Sequence, residues 1–354
     1  MSIIIKGTGS FIPKNEIKNE DFFKHEFRSE DGDLLPQGNE TIIRKFKDIT
    51  GIRSRRYADD TMLSSDMGTQ AALRAIEDAG IDKEEIDLII FAHNFGNIPK
   101  YTVQTDVVPS LATRVKYDLK IENNDCVAFD ILYGCPGWVQ GVILARQYIL
   151  AGDAKHVLVI GSETLSRVID PFDRDSMIYS DGAGAAIISY SEEPNTGILS
   201  VASQTFTSKE AYYLYYGHSY NKDFTPETRY IKMHGRKIYE FALNQVPLAM
   251  KKCLDKSGHN IQSLKKVFIH QANEKMDEAI IERFYKLYDV DTIPEYIMPM
   301  SIHELGNSSV ATVPTLFDLV RKNKIEHHSI SKGDVVMLCS VGAGMSVNAI
   351  LLSY

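Results

Sequence analysis

Two short runs, DLIIFAHN (Asp87–Asn94) and KKVFIHQAN (Lys265–Asn273), constrain the fold of this chain more than any other feature. Each is an apolar run of strand length ending in a histidine, the pattern of a strand buried on both faces. What surrounds them recurs in one order. In the first half SIIIKGTG reads as a strand, and SSDMGTQAALRAIEDAG as a helix with Ser and Asp at its start and Gly80 at its stop. After the first run come a helix (PSLATRVKYDL), a strand (CVAFDIL), a helix behind Pro136, and the strands HVLVIGSE and GAGAAIISY. In the second half ILSVASQTF is a strand and GRKIYEFALNQVPLAMKKCLDKSG a long helix. After the second run come EKMDEAIIERFYKLYD as a helix, EYIMPMSI as a strand, SSVATVPTLFDLVRKN as a helix, and DVVMLCSVG and MSVNAILL as closing strands.

His270 falls 177 residues after His93, and Asn307 falls 172 after Cys135. Two similar offsets in one order indicate an internal duplication, at a period too long for a solenoid. Alternating strand and helix predicts an α/β fold of mostly parallel sheets with helices on their faces. The halves divide as residues 1–190, carrying Cys135, and 191–354, carrying His270 and Asn307. Residues 203–231, rich in Tyr and weak in periodicity, read as an insertion between them.

The formal net charge of −8 argues against nucleic acid as the main partner, since phosphate binding needs a basic surface. The four cysteines, Cys126, Cys135, Cys253 and Cys339, lie far apart with no zinc-type spacing, so no metal is expected. Cys126 and Cys339 fall inside apolar strand-like runs and read as reduced packing residues. The opening MSIIIKGTGSFIP has too short an apolar run for a signal peptide. No segment reaches the ~18 apolar residues of a membrane span. A cytoplasmic location is expected.

One thiol stands apart. Cys135 lies between the end of a strand and a long apolar helix, with Pro136 directly behind it. Proline is favoured at the first helical position, which makes Cys135 the expected N-cap. The unpaired N–H groups and partial positive charge of a helix start favour thiolate over thiol. Gly134 and Gly137 allow close approach of backbone and substrate. Gly137 and Gly141 share one helix face, as a tight helix–helix contact would require. The alternative is a small buried hydrophobe at a tight turn. His270 ends a buried strand, where ligands bind in parallel sheets. Asn307 follows Gly306 at another strand-to-helix junction and could simply cap the next helix. Cys, His and Asn at equivalent junctions of a duplicated fold point together to a site.

These residues carry a resemblance. GTGSFIPKNEIKNEDF, TGIRSRRYADD, GCPGWVQGVILARQYILAGDAKHVLVIGSETLSRVIDPFDRDSMIYSDGAGAAII, HQAN, HELGNSSVATVP and VGAGMS span nearly the full chain. Together they resemble the thiolase superfamily, and within it the β-ketoacyl-acyl-carrier-protein synthase III family. The resemblance implies a five-layered αβαβα fold, a homodimer, and Cys135, His270 and Asn307 as catalytic residues. It also implies acyl and malonyl thioesters of coenzyme A or acyl-carrier protein as substrates, with no metal and no redox cofactor. Cys135 would carry the acyl group. The backbone N–H groups of Cys135 and Ala343 would form the oxyanion hole. His270 and Asn307 would donate hydrogen bonds to the malonyl thioester carbonyl as carbon dioxide departs. Arg174 in DPFDR would sit at the mouth of the substrate tunnel, Asn273 along the pantetheine channel, and Lys275 where the acidic carrier protein docks. Asp181 in SDGAGAA reads as a turn and N–H cap.

The chain departs from the family pattern in four places. Members primed by acyl-coenzyme A carry Trp and Arg before TGIR to grip adenine, whereas this chain has Lys45 and Ile49 there. Arg44, Lys45 and Lys47 could still hold phosphates. Tyr133-Gly134 replaces Ala-Ala before the nucleophile, and the segments HNFGNIPKYTV and EAYYLYYGHSYN depart where the acyl pocket is lined. A specialised synthase using carrier-borne acyl groups is therefore weighed beside a coenzyme-A-primed one. The rivals are an acyltransferase on the same fold that moves the acyl group from Cys135 to oxygen or nitrogen, a papain-type hydrolase, and a silent partner subunit. The duplicated strand–helix order argues against the hydrolase, and the presence of Cys135 against the silent subunit.

Overall fold

In a computed structural model, which describes residues 2–354, the first half begins with β1 (Ser2–Phe11), β2 (Asn15–Lys18), α1 (Asn39–Thr50), β3 (Ser54–Tyr57) and α2 (Ser64–Ala79). It continues through β4 (Leu88–His93), α3 (Leu111–Asp118), β5 (Val127–Leu132), α4 (Gly137–Ala151), β6 (His156–Thr164) and β7 (Asp181–Ser191). The second half runs β8 (Gly197–Thr205), β9 (Leu214–His218), β10 (Arg229–Met233), α5 (Gly235–Ser257) and β11 (Leu264–Ile269). Then come α6 (Glu274–Lys286), the single turn α7 (Ile302–Leu305), α8 (Thr312–Arg321), β12 (Val335–Gly342) and β13 (Ser346–Ser353).

Two large sheets result, in the orders β1-β7-β6-β4-β5 and β11-β12-β13-β8. The expectation of mostly parallel sheets is not met: β4 pairs in parallel with β5 and β6, and β11 with β12, but β1–β7, β6–β7, β12–β13 and β8–β13 are antiparallel, because β7 and β13 return against their neighbours.

Side-chain alternation along the strands explains the layering. On β4, Leu88, Ile90 and Ala92 enter a central core with α4 and α8, while Ile89 and Phe91 turn outward onto α2 and α3. On β11, Phe268 joins the same central core, while Val267 and Ile269 face α5 and α6. Each sheet thus buries both faces, and α4 with α8 forms the layer both share. The architecture is the expected α/β sandwich of five layers, αβαβα. Phe268 meets Phe317 of α8 edge-on, with ring centroids 5.0 Å apart, tying the second sheet to the central layer. Among the described residues no helix is long and apolar enough to cross a membrane.

The structure corrects four local expectations. EYIMPMSI lies beside β11 but makes no strand: Pro294 and Pro299 bring no N–H, and the Val267 N–H to Ile297 carbonyl bond (2.8 Å) is the backbone link to β11. Residues 203–231, read as a Tyr-rich insertion, carry β9 and the start of β10, which pair as an antiparallel hairpin that the weak periodicity did not reveal. Helix α1, unassigned from sequence, buries Ile42 and Ile43 and stops at Gly51. Gly137 and Gly141 face strands rather than a helix partner: a β-carbon on Gly141 would come within 2.6 Å of Val159, and one on Gly137 within 3.1 Å of Ala92.

Candidate active site

Cys135 sits in the turn between β5 and α4, one position earlier than expected. Pro136 is the cap residue, and the helix begins at Gly137. The preceding Gly134 has φ of +66°, a left-handed conformation that suits glycine. The turn presses against the end of β12: a β-carbon on Gly134 would lie 2.8 Å from the Ala343 N, and one on Gly342 would lie 2.6 Å from the Cys135 N. Two glycines therefore let the backbone N–H groups of Cys135 and Ala343 converge on the sulfur.

The thiol does not follow the simple helix-start expectation. Burial pushes it up to about 11, against the opposing effects of the Ser309 hydroxyl and the two backbone N–H groups. The site thus stabilises a thiolate locally while its dry surroundings resist one in the resting protein. Of the four free cysteines, Cys135 is half-buried and opens to the cavity; the other three are buried.

His270 follows β11 directly, and its N–H donates to the Cys339 carbonyl at 2.8 Å. Its ring is buried, and burial alone lowers it to about 4, so it stays neutral at physiological pH. Nδ1 is fully enclosed without a partner, which leaves Nε2 as the ring nitrogen presented to the cavity. Asn307 is held by backbone bonds on both sides, its N–H to the Ile178 carbonyl (2.9 Å) and its carbonyl to the Ser180 N–H (2.8 Å). Its Oδ1 accepts from the Ser309 N–H at 2.7 Å. That bond assigns the amide orientation and leaves Nδ2 as a donor.

Cys135, His270, Asn307 and Ala343 line one cavity of about 260 Å³ with otherwise largely apolar walls. Phe95 comes from the loop after β4, and Leu214, Tyr215 and Tyr216 from the β9–β10 hairpin. Phe95 and Tyr216 stack at 5.2 Å between centroids. A second, outer cavity of about 520 Å³ shares Ile178, Met233, Ile238, Ala272 and Met276 with the first. The two form one passage from the surface to the thiol. Arg174 and Asn273 line the outer part, as do Lys45 and Arg236. Asn273 also caps α6 through Oδ1, which accepts from the Met276 N–H at 3.1 Å. Lys275 is exposed on the first turn of α6 and lines neither cavity. Arg44 and Lys47, weighed as phosphate holders, do not reach the passage. The chain's single Trp is Trp138, buried in the central core, so no Trp stands at the mouth.

His93, the positional twin of His270, is turned elsewhere: its Nε2 meets Asp130 at 3.1 Å and its Nδ1 accepts from the Gly96 N–H. Asp181 accepts from the Ala58 and Ser166 N–H groups at 2.8 Å each, the capping role its sequence context implied. Three residues near the thiol were missed from sequence: Ser309, Asn94 and Glu163. The last two lie at strand ends, the signal that drew attention to His270.

The chain matches the family model for 3-oxoacyl-[acyl-carrier-protein] synthase III over residues 129–206, and the model for its C-terminal part over residues 254–354. It is 33% identical to the β-ketoacyl-[acyl-carrier-protein] synthase III 1 of Vibrio vulnificus (strain YJ016), across 99% of both chains. It is also 33% identical to the β-ketoacyl-[acyl-carrier-protein] synthase III of Oceanobacillus iheyensis, across 100% of this chain and 99% of that one. Its fold superposes on the crystal structure of 3-oxoacyl-[acyl-carrier-protein] synthase III from Aquifex aeolicus VF5 with a TM-score of 0.80, at 30% identity over the full length of both.

Proposed function

The chain belongs to the 3-oxoacyl-[acyl-carrier-protein] synthase III family, and we propose that it catalyses the decarboxylative condensation of an acyl thioester with a malonyl-type thioester in fatty acid or related lipid biosynthesis. One observation carries this reading: Cys135, His270 and Asn307 line a single apolar cavity that opens to the surface through a passage edged by Arg174 and Asn273.

The sulfur of Cys135 attacks the acyl thioester carbonyl, and the oxyanion is held by the N–H groups of Cys135 and Ala343. The donor's carbon–sulfur bond breaks and its thiol departs, leaving the acyl group on Cys135. A malonyl thioester then enters the passage. As carbon dioxide leaves, the negative charge moves onto the thioester oxygen, where His270 Nε2–H and Asn307 Nδ2–H donate to it. The enolate carbon attacks the acyl carbonyl and expels the Cys135 thiolate, giving a 3-oxoacyl thioester. A neutral His270 suits this donor role. Asn307, with its oxygen committed and its nitrogen free, supports condensation over simple acyl transfer to oxygen or nitrogen.

The mouth favours a carrier-borne donor. Lys45, Arg174 and Arg236 offer positive charge there, no Trp is available to stack on adenine, and Lys275 is exposed beside it as a docking cation. Charged docking of this kind acts mainly on association rate. We further propose a homodimer built on β5. This strand pairs only with β4, at the edge of its sheet, and it exposes Val127 (57%) and Leu132 (70%). An apolar sheet edge left open would invite uncontrolled pairing.

The test combines intact-protein mass with carbon dioxide release. The wild-type protein gains the acyl mass from an acyl thioester, then loses it as malonyl thioester is decarboxylated. Cys135→Ser gains no acyl mass. Transfer of the acyl group without carbon dioxide release would instead establish an acyltransferase.

A further inference from the structure

The thiol of Cys135 ends a chain of hydrogen bonds that starts at a carboxylate sealed inside the protein. Ser309 Oγ–H donates to Cys135 Sγ at 3.3 Å. Ser309 Oγ in turn accepts from Asn94 Nδ2–H at 3.0 Å. The other hydrogen of that amide, together with the Asn94 backbone N–H (2.6 Å), goes to Glu163 Oε1. Glu163 is 1% exposed, and its second oxygen, Oε2, has no partner. The chain joins the ends of β4 and β6 in the first half to the turn after Asn307 in the second.

The direction of these bonds is what matters. A hydroxyl can donate or accept, and an asparagine amide can present either its oxygen or its nitrogen. Glu163 Oε1 can only accept, so it fixes Asn94 with its nitrogen inward. One amide hydrogen then reaches Ser309 Oγ and occupies a lone pair. The hydroxyl hydrogen of Ser309 is left pointing at the sulfur. Without Glu163 the amide can reverse and offer its oxygen to Ser309. The hydroxyl would then donate to Asn94, and the sulfur would lose its donor. We propose that Ser309 is a further catalytic residue, donating to the Cys135 thiolate as it forms, and that Glu163 and Asn94 are positioning residues that set the direction of this bond. The inference rests on the reading of Cys135 as nucleophile.

Two features of the surroundings fit. Burial works against the thiolate, and the Ser309 bond is the foremost local effect opposing it. Glu163 faces His93 and Asp181 as well as Asn94, and burial pushes its carboxyl up to about 7. A proton taken up there belongs on the partnerless Oε2, so Oε1 goes on accepting from Asn94 in either state. The orienting effect therefore does not depend on the charge of Glu163. The charge itself disfavours the thiolate, which separates the two roles experimentally.

The experiment is the pH profile of Cys135 alkylation by iodoacetamide on the full chain, followed by peptide mass. Ser309→Ala should shift the midpoint upward and slow alkylation at pH 8 by roughly tenfold or more, the size of a hydrogen bond to a charged group. Glu163→Ala should also slow alkylation, by less than Ser309→Ala because it removes a charge that disfavours the thiolate, and the double variant should be no slower than Ser309→Ala alone. Glu163→Gln keeps an acceptor for Asn94 and removes the charge. It should alkylate at least as fast as wild type. Wild-type behaviour of Ser309→Ala at every pH would overturn the proposal, and this small change leaves folding least in question. Additive effects of Ser309→Ala and Glu163→Ala would overturn the positioning role. In each case Cys135 would still alkylate ahead of the other cysteines. Failure of Cys135 to react in the wild type, by contrast, would sink the nucleophile reading itself.

Discussion

Asp277 sits in the first turn of α6, fully enclosed, with neither carboxylate oxygen hydrogen-bonded to the protein. Burial raises its carboxyl well above the usual range, with the neighbouring Glu274 and Glu278 adding to the shift. A group whose folded-state pKa is raised holds its proton more tightly in the fold than in the unfolded chain. Its contribution is most favourable below the unfolded value of about 4 and is lost as pH rises from there towards the folded value. Asp277→Asn carries no charge at any pH and lacks this loss. The variant's melting temperature relative to wild type should therefore increase between pH 5 and pH 8 at fixed ionic strength. A difference that stays flat with pH would mean that Asp277 has a counter-charge or water in solution. The residue scale also shows what sequence could supply. Cys135 and His270 were legible because each follows a recognisable strand; Asn307 was legible only through its motif, since the strand expected before it is absent and it lies between α7 and α8. Ser309 was hidden in a motif read for its neighbour, and Asn94 and Glu163 act through geometry that no spacing reveals.

At the scale of elements, continuous apolar runs and helix start and stop signals identified nearly every strand of the two large sheets and the helices packed on them. They failed where backbone chemistry or long-range pairing decides. Two prolines keep 295–302 from pairing although its composition reads as a strand. The β9–β10 hairpin lacks a periodic signal because it is held by a buried cluster instead. Lys232 Nζ contacts Asp170 at 2.6 Å and Asp173 at 3.0 Å, and lies 3.2 Å from the centroid of the Tyr220 ring. Asp170 also accepts from Ser219 Oγ–H and the Tyr220 N–H. This cluster fastens the hairpin whose Leu214, Tyr215 and Tyr216 wall the inner cavity. Lys232→Met leaves two carboxylates buried without their cation, a change that costs about 3–5 kcal/mol. Thermal melting at pH 7 should show a clear loss. Part of it should return as the pH falls towards 5, because burial raises both Asp173 and its neighbour Asp175, the latter to about 6. An unchanged melting temperature would mean that the cluster does not hold the hairpin.

At the scale of the molecule, Cys135 follows β5 of one sheet and His270 follows β11 of the other, so the cavity draws its lining from both sheets' ends. The same arrangement leaves β5 at an open edge, with Tyr148 of α4 also exposed (38%). Apolar surface of this kind on an edge strand fits an isologous contact about a two-fold axis. Light scattering behind size exclusion should give a dimer for the wild type and a monomer for the Val127→Lys/Leu132→Lys variant. A wild-type monomer at micromolar concentration, or a variant that stays dimeric, would place the interface elsewhere or remove it.

The central claim is a division of labour: Cys135 takes the acyl group, and His270 with Asn307 serves only the malonyl step. The most direct measurement follows both half-reactions in His270→Ala and Asn307→Ala, reading acyl mass on Cys135 and carbon dioxide from malonyl thioester. Both variants should accept the acyl group and release almost no carbon dioxide. Loss of acylation in both would contradict the account, and would make His270 a base for the thiol in a Cys–His pair of the protease kind.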